Sequence, residues 1–208
     1  MAREPTVFIV DDDDAIRDSL HLLLESAGLK RVTPYGASRR FLEEAAPQPG
    51  DCLLLDIRMP DMDGLELQVE LNRRGIRLPV IVMTGHGDVP IAVRAMKAGA
   101  FEFIEKPFSD ELLLDCVRRA LALARETSRE GEEIGETLRH LETLTARERE
   151  VLNGMVAGNP NKVIAHDLGI SPRTVEIHRA RVMDKMAASS LSALVRKVLA
   201  AGVTPGTR

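Results

Sequence analysis

No apolar run in the 208-residue sequence approaches the roughly 18 residues that a membrane-spanning helix needs, which excludes a membrane protein. A signal-peptide core and a small-residue cleavage site are missing too. Met1-Ala2-Arg3-Glu4-Pro5 passes straight into a short apolar strand, and a cytoplasmic protein is expected. Cysteine is scarce: Cys52 and Cys116 are spaced for neither a disulfide framework nor a metal site, and each falls within an expected element as a buried thiol. Internal repeats and low-complexity tracts are absent. Beyond residue 142 strand signals are lacking, so the last third of the chain is expected to be helical.

What is present is a globular balance, 44% hydrophobic and 29% charged, with a net charge of −4 that is unevenly spread. Residues 1–124 hold 15 basic against 21 acidic side chains, 125–142 hold 3 against 6, and 143–208 hold 10 against 5. A basic segment of about 65 residues behind an acidic one points to a polyanion partner for that end alone. Apolar runs recur at Val7-Phe8-Ile9-Val10, Cys52-Leu53-Leu54-Leu55, Val80-Ile81-Val82-Met83 and Phe101-Glu102-Phe103-Ile104, with a weaker Val32-Thr33. Helical spacing lies between them, as in Ile16, Leu20, Leu23, Leu24 and in Ala92, Val93, Met96. Non-alternating apolar strands suit a parallel sheet buried on both faces, so the strand-helix alternation predicts a small doubly wound α/β domain over 1–124. Its last helix starts after Ser109 as N-cap and runs past Leu121.

Residues 125–142 read as a linker in which Gly131 and Gly135 interrupt a helical pattern; partial helix is favoured over a flexible tether. An all-α domain follows over 143–208. Thr145-Ala146-Arg147-Glu148 is a capping box, Asn159-Pro160 a cap followed by proline at the first helical position, and Ser171-Pro172 repeats that device. Ser190 opens a fourth helix that Gly202 ends.

Ligands of an open parallel sheet bind beyond the carboxyl ends of its strands, and the polar residues there form one set. Asp11, Asp12 and Asp13 follow the first strand, Asp56 the third, Thr84 the fourth and Lys106 the fifth. Carboxylates gathered in this way repel one another unless a hard cation joins them, and an all-oxygen set suits Mg²⁺. One carboxylate can then attack phosphorus, with Lys106 and the Thr84 hydroxyl binding the oxygens of the transferred group. Asp11 and Asp12, Asp56-Ile57-Arg58-Met59-Pro60-Asp61-Met62-Asp63-Gly64, Thr84-Gly85-His86-Gly87 and Glu105-Lys106-Pro107-Phe108 resemble the receiver domains of response regulators over residues 5–124. The resemblance implies a flavodoxin-like strand order 2-1-3-4-5. It also implies Asp56 as phosphoacceptor, Asp11, Asp12, Asp56 and the Arg58 carbonyl at Mg²⁺, Thr84 and Lys106 at the phosphoryl group, Phe103 as a switch aromatic, and a cis Lys106–Pro107 bond. Gly85 leaves little side chain near the acceptor.

The stretch from Asn161 to Val182 reads as helix, glycine-containing turn, helix, the spacing of a helix-turn-helix. On the second helix Val175, Val182 and Met186 fall inward. Glu176, Ile177, Ala180 and Arg181 fall outward, with Arg173, Arg179 and Lys185 at the margins. Leu144-Thr145-Ala146-Arg147-Glu148-Arg149-Glu150-Val151-Leu152 and this unit together resemble the NarL/LuxR-type effector domain, and the whole chain resembles FixJ-type response regulators. That resemblance implies Glu176, Ile177 and Ala180 near base edges, Lys162, Thr174 and Arg181 near backbone, and dimer packing through residues 191–201. Many relatives carry a basic residue where this sequence has Ala187-Ala188-Ser189. The expected protein is a two-component regulator rather than an enzyme. It is phosphorylated by a sensor histidine kinase, forms a homodimer on phosphorylation, and acts on promoter DNA with RNA polymerase, most simply as an activator. Two other readings compete. Asp11-x-Asp13 with a later Thr and Lys is also similar to haloacid-dehalogenase-type phosphatases, which would leave Asp56 without a task. In the other, the C-terminal module docks a protein instead of DNA.

Overall fold

A computed structural model describes residues 3–85 and 89–203 and divides the chain into two compact units, 1–128 and 129–208. In the first, β1 (Val7–Val10), β2 (Val32–Tyr35), β3 (Cys52–Asp56), β4 (Val80–Thr84) and β5 (Glu102–Glu105) form one parallel sheet in the order β2-β1-β3-β4-β5. The helices of this unit are α1 (Asp14–Ser26), α2 (Ser38–Glu44), α3 (Gly64–Arg73), α4 (Val89–Lys97) and the first part of α5 (Asp110–Glu142). The order is the one the resemblance implies.

Successive strand residues point to opposite faces, which is why the apolar runs do not alternate. Phe8, Val10, Leu53, Leu55, Val80 and Val82 join a core with Phe41, Leu65, Leu67, Leu71 and Ala95 of α2, α3 and α4. Val7, Ile9, Cys52, Leu54, Ile81 and Met83 pack instead against Leu20 and Leu24 of α1 and Leu113, Cys116, Val117 and Ala120 of α5. Both cysteines are buried. Two helical layers thus clamp the sheet, and its carboxyl edge holds the polar residues. Registers Val10↔Leu55, Leu55↔Val82 and Thr84↔Glu105 bring the strand ends level there.

In the second unit α6 (Ala146–Val156), α7 (Asn161–Leu168), α8 (Pro172–Lys185) and α9 (Leu191–Ala200) surround Val151, Leu152, Met155, Ile164, Val175, Val182, Met186, Leu194 and Val198. Leu141, near the end of α5, belongs to that core. Thr145 and Glu148 form the expected capping box, and the Ser171 and Ser190 hydroxyls accept from the Thr174 and Ala193 N–H groups. The Asn159-Pro160 device is displaced by one residue: Pro160 is itself the N-cap of α7, without a side-chain bond. Gly169 ends α7 in the left-handed region, φ 64°, and makes the tight turn into α8. Residues 125–142, read from the sequence as a partly helical linker, are helical. Gly131 and Gly135 sit inside α5, which is helical throughout, and the boundary between units falls at Ser128 rather than on either side of a linker.

Candidate functional site

The first turn beyond β1 carries the acidic run, and its members separate by task. Asp13 is the N-cap of α1, its side chain accepting from Ala15 and Ile16 N–H groups at 2.8 and 3.3 Å. Asp11 turns inward and is 1% exposed, while Asp12 is exposed. Asp56 ends β3, 6% exposed, and Thr84 ends β4, 1% exposed. Lys106 follows β5, its backbone N–H donating to the Thr84 carbonyl at 2.7 Å, and the Lys106–Pro107 bond is cis.

The Lys106 ammonium donates to Asp11 Oδ2 and to Asp56 Oδ1, both at 2.7 Å. The remaining carboxylate oxygens are held by backbone: Arg58 N–H donates to Asp56 Oδ2 at 2.6 Å and Asp13 N–H to Asp11 Oδ1 at 3.0 Å. Burial raises the Asp56 carboxyl above its ordinary range; the Lys106 bond and charge oppose this, and the Asp11 charge adds to it. Burial works against the Lys106 ammonium, but its bonds to the two carboxylates outweigh burial and hold its pKa above the usual lysine value. Two buried carboxylates share one cation, and a third carboxylate, Asp12, stands outside. Such a pocket is short of positive charge and offers oxygen donors only, the set a divalent hard cation fits. Among the described residues no three acidic, histidine or cysteine side chains are gathered into a preformed metal cluster. Asp11, Asp56 and Asp12 would have to close on the ion.

Sequence reasoning overlooked two supports. A Cβ on Gly64 would overlap the Asp56 carbonyl oxygen, so only glycine lets the start of α3 pack behind Asp56. Arg17 donates from Nη1 to the Asp11 carbonyl at 2.6 Å; on a helical wheel it looks like any solvated charge. Phe103 is half-buried on β5 against the core facing α2, α3 and α4. Its neighbour Glu102 is bound by Arg119 of α5 at 2.9 Å. His86 and Gly87 of the Thr84 motif lie outside the described residues.

On α8 the division of faces agrees with the inward and outward sides expected from the sequence. Val175, Val182 and Met186 are fully buried, whereas Arg173, Glu176, Ile177, Ala180 and Arg181 are exposed, Ile177 by 49%. Lys162 on α7 is exposed, and Thr174 is half-buried with its hydroxyl 2.8 Å from that of Ser171. Lys185 departs from its expected role at the DNA margin. Its ammonium donates to Glu148 Oε2 at 2.6 Å and to the Thr143 carbonyl at 3.0 Å. The Glu148 side chain is 4% exposed and its pKa is lowered to about 2, first by the Lys185 bond and then by the Thr145 N–H. A buried carboxylate thus claims the lysine. Lys197, which sequence reasoning passed over, donates to the Met186 and Ala187 carbonyls at 3.3 and 3.0 Å and closes the end of α8.

Residues 7–118 match the response regulator receiver domain, and residues 142–198 match the bacterial regulatory proteins of the luxR family. The transcriptional regulatory protein FixJ of Azorhizobium caulinodans is 52% identical over 96% of this chain and 94% of its own length. The chain belongs to the FixJ-type response regulators. FixJ of Rhizobium meliloti is 48% identical over 96% of the chain. Among solved structures, response regulator StyR covers 95% of the chain at 43% identity with a TM-score of 0.84. Full-length FixJ from B. japonicum covers 97% at 41% identity and 0.58. A FixJ-type regulator is a transcription regulator of a two-component system, which answers the phosphatase alternative. A receiver implies a sensor kinase as partner, and receivers generally bind Mg²⁺ at the phosphorylation site; the LuxR-type module implies DNA. No helix among the described residues is long and apolar enough to cross a membrane.

Proposed function

We propose that Asp56 accepts a phosphoryl group from the phosphohistidine of a sensor kinase in the cytoplasm, and that the phosphorylated chain dimerises and binds promoter DNA to activate transcription with RNA polymerase. The observation that carries the reading is the ammonium of Lys106 bonded at 2.7 Å to both Asp11 and Asp56. The bond between phosphorus and the donor imidazole breaks as an Asp56 oxygen takes its place on phosphorus. Arg58 N–H orients the carboxylate through its other oxygen, and Lys106 remains to neutralise the phosphoryl oxygens. Thr84, at the end of the neighbouring strand, is the hydroxyl suited to bind a further phosphoryl oxygen. Asp11, Asp12, Asp56 and the Arg58 carbonyl would hold Mg²⁺, which supplies the charge that screens carboxylate from phosphate during attack.

The added charge, about −2 on a phosphate, then shifts the population of a two-state surface. Thr84 moves toward the phosphoryl group and Phe103 follows, altering the face formed by α4, β5 and α5. On DNA, Glu176, Ile177 and Ala180 would meet base edges, with Lys162, Arg173, Thr174 and Arg181 on phosphates. Incubation with radiolabelled acetyl phosphate and Mg²⁺ tests the acceptor. Label is expected on wild type and lost in Asp56→Asn; label retained in Asp56→Asn and lost in Asp11→Asn would place the phosphoryl group on Asp11 and overturn the reading.

A further inference from the structure

We propose that Arg17 is a positioning residue for the divalent cation, acting through the peptide that joins Asp11 to Asp12. The inference rests on the acceptor reading above. Arg17 sits in the opening turns of α1, its N–H bonded to the Asp13 carbonyl at 3.0 Å, where a cation opposes the helix dipole. Its side chain is nevertheless only 15% exposed. The guanidinium lies within 3.3–3.4 Å of the point where a Cβ on Gly36 would stand, so the turn after β2 is hollowed to admit it. Gly36 lies outside the left-handed backbone region. Space for the guanidinium, and not chain conformation, is therefore what glycine provides.

The guanidinium is spent on two contacts. Nη2 pairs with the exposed carboxylate of Asp14, and Nη1 donates to the Asp11 carbonyl at 2.6 Å. Asp11 N–H closes the last rung to the Tyr35 carbonyl at 3.2 Å. Beyond that rung the Asp11 carbonyl turns to Arg17. This carbonyl belongs to the peptide plane from which both the Asp11 and the Asp12 carboxylates hang. Fixing that plane fixes two of the oxygen donors before any ion arrives, and it does so without pairing Arg17 with either carboxylate. Partners that orient metal ligands from behind change metal affinity by about 10–100-fold when removed.

Calorimetric titration of the unphosphorylated full chain with MgCl₂, beside urea denaturation, tests this. Arg17→Ala is expected to weaken Mg²⁺ binding by about tenfold or more, with Arg17→Lys in between, since lysine keeps the charge and one donor. Gly36→Val should also weaken it, by driving the intact guanidinium off the Asp11 carbonyl. Asp14→Ala, which loses only the exposed ion pair, should bind within twofold of wild type. A folded Arg17→Ala with unchanged Mg²⁺ affinity overturns the inference. If that variant does not fold, Arg17→Lys and Gly36→Val decide, and wild-type affinity in both overturns it equally. Asp11→Asn separates the two levels. Loss of Mg²⁺ there with retention in the Arg17 variants leaves the acceptor reading standing and removes only this inference; wild-type affinity in Asp11→Asn removes both.

Discussion

Behind Asp56, Gly64 leaves no room for a methyl group, because the Asp56 carbonyl oxygen stands where it would go. Gly64→Ala should therefore push the end of β3 or the start of α3 aside at a cost of about 1–3 kcal/mol, measured by urea denaturation, and slow phosphorylation by acetyl phosphate as well. Asp56 itself is held at an energetic disadvantage. Its raised carboxyl pKa means that folding favours the protonated form, so stability is lost as pH rises from the ordinary aspartate value through the raised one, and the loss is complete above it. Asp56→Asn is expected to raise the thermal midpoint at neutral pH, with the gap narrowing toward acid. Mg²⁺ at a hundred times its Kd should add about 2.7 kcal/mol to the wild type and far less to the variant. Asp11, Asp56, Thr84 and Lys106 were legible because each ends an apolar run, and strand ends are where an open sheet does chemistry. Arg17 and Gly64 were not legible: one acts through a carbonyl and the other through the absence of a Cβ, and neither leaves a periodic signal.

Within α8, charge alone does not identify the groups facing DNA. Arg181 is exposed and Lys185 is claimed by Glu148. Arg181→Ala should lower the salt slope of duplex binding by about 1, read from titrations at several ionic strengths. Lys185→Met should leave that slope unchanged and lower the denaturation midpoint instead. Since the Glu148 pKa is depressed to about 2, its contribution is complete above the ordinary glutamate value of 4.5 and is lost as pH falls toward 2. Lys185→Met should erase most of that acid dependence. The helical spacing that puts Lys185 at the margin of α8 carries no sign of the capping carboxylate that binds its ammonium. The glycines of α5 misled in a similar way. Gly131 and Gly135 lower local helix propensity, yet the helix passes through both, with open space where each Cβ would go. Alanine at either is expected to stabilise the C-terminal unit by about 0.5–1 kcal/mol in chemical denaturation.

At the scale of the molecule, an acidic unit that receives the signal and a basic unit that meets DNA lie in one chain. The proposed dimer would let two half-site contacts act together, gaining affinity without any new base contact. Phosphorylated wild type should sediment as a dimer and bind a roughly palindromic duplex, while Asp56→Asn remains a monomer of low affinity; equal affinity of the two would separate phosphorylation from DNA binding. The order of the units and the helical character of the second were readable from apolar periodicity, while the two glycines hid that α5 runs unbroken to Glu142. The ammonium of Lys106, bonded to Asp11 and Asp56 together, also serves as a built-in counter-ion. With that one cation between them, the two buried carboxylates need no metal ion to offset their mutual repulsion as the sheet closes, and only the closing of Asp11, Asp12 and Asp56 together is left to the ion.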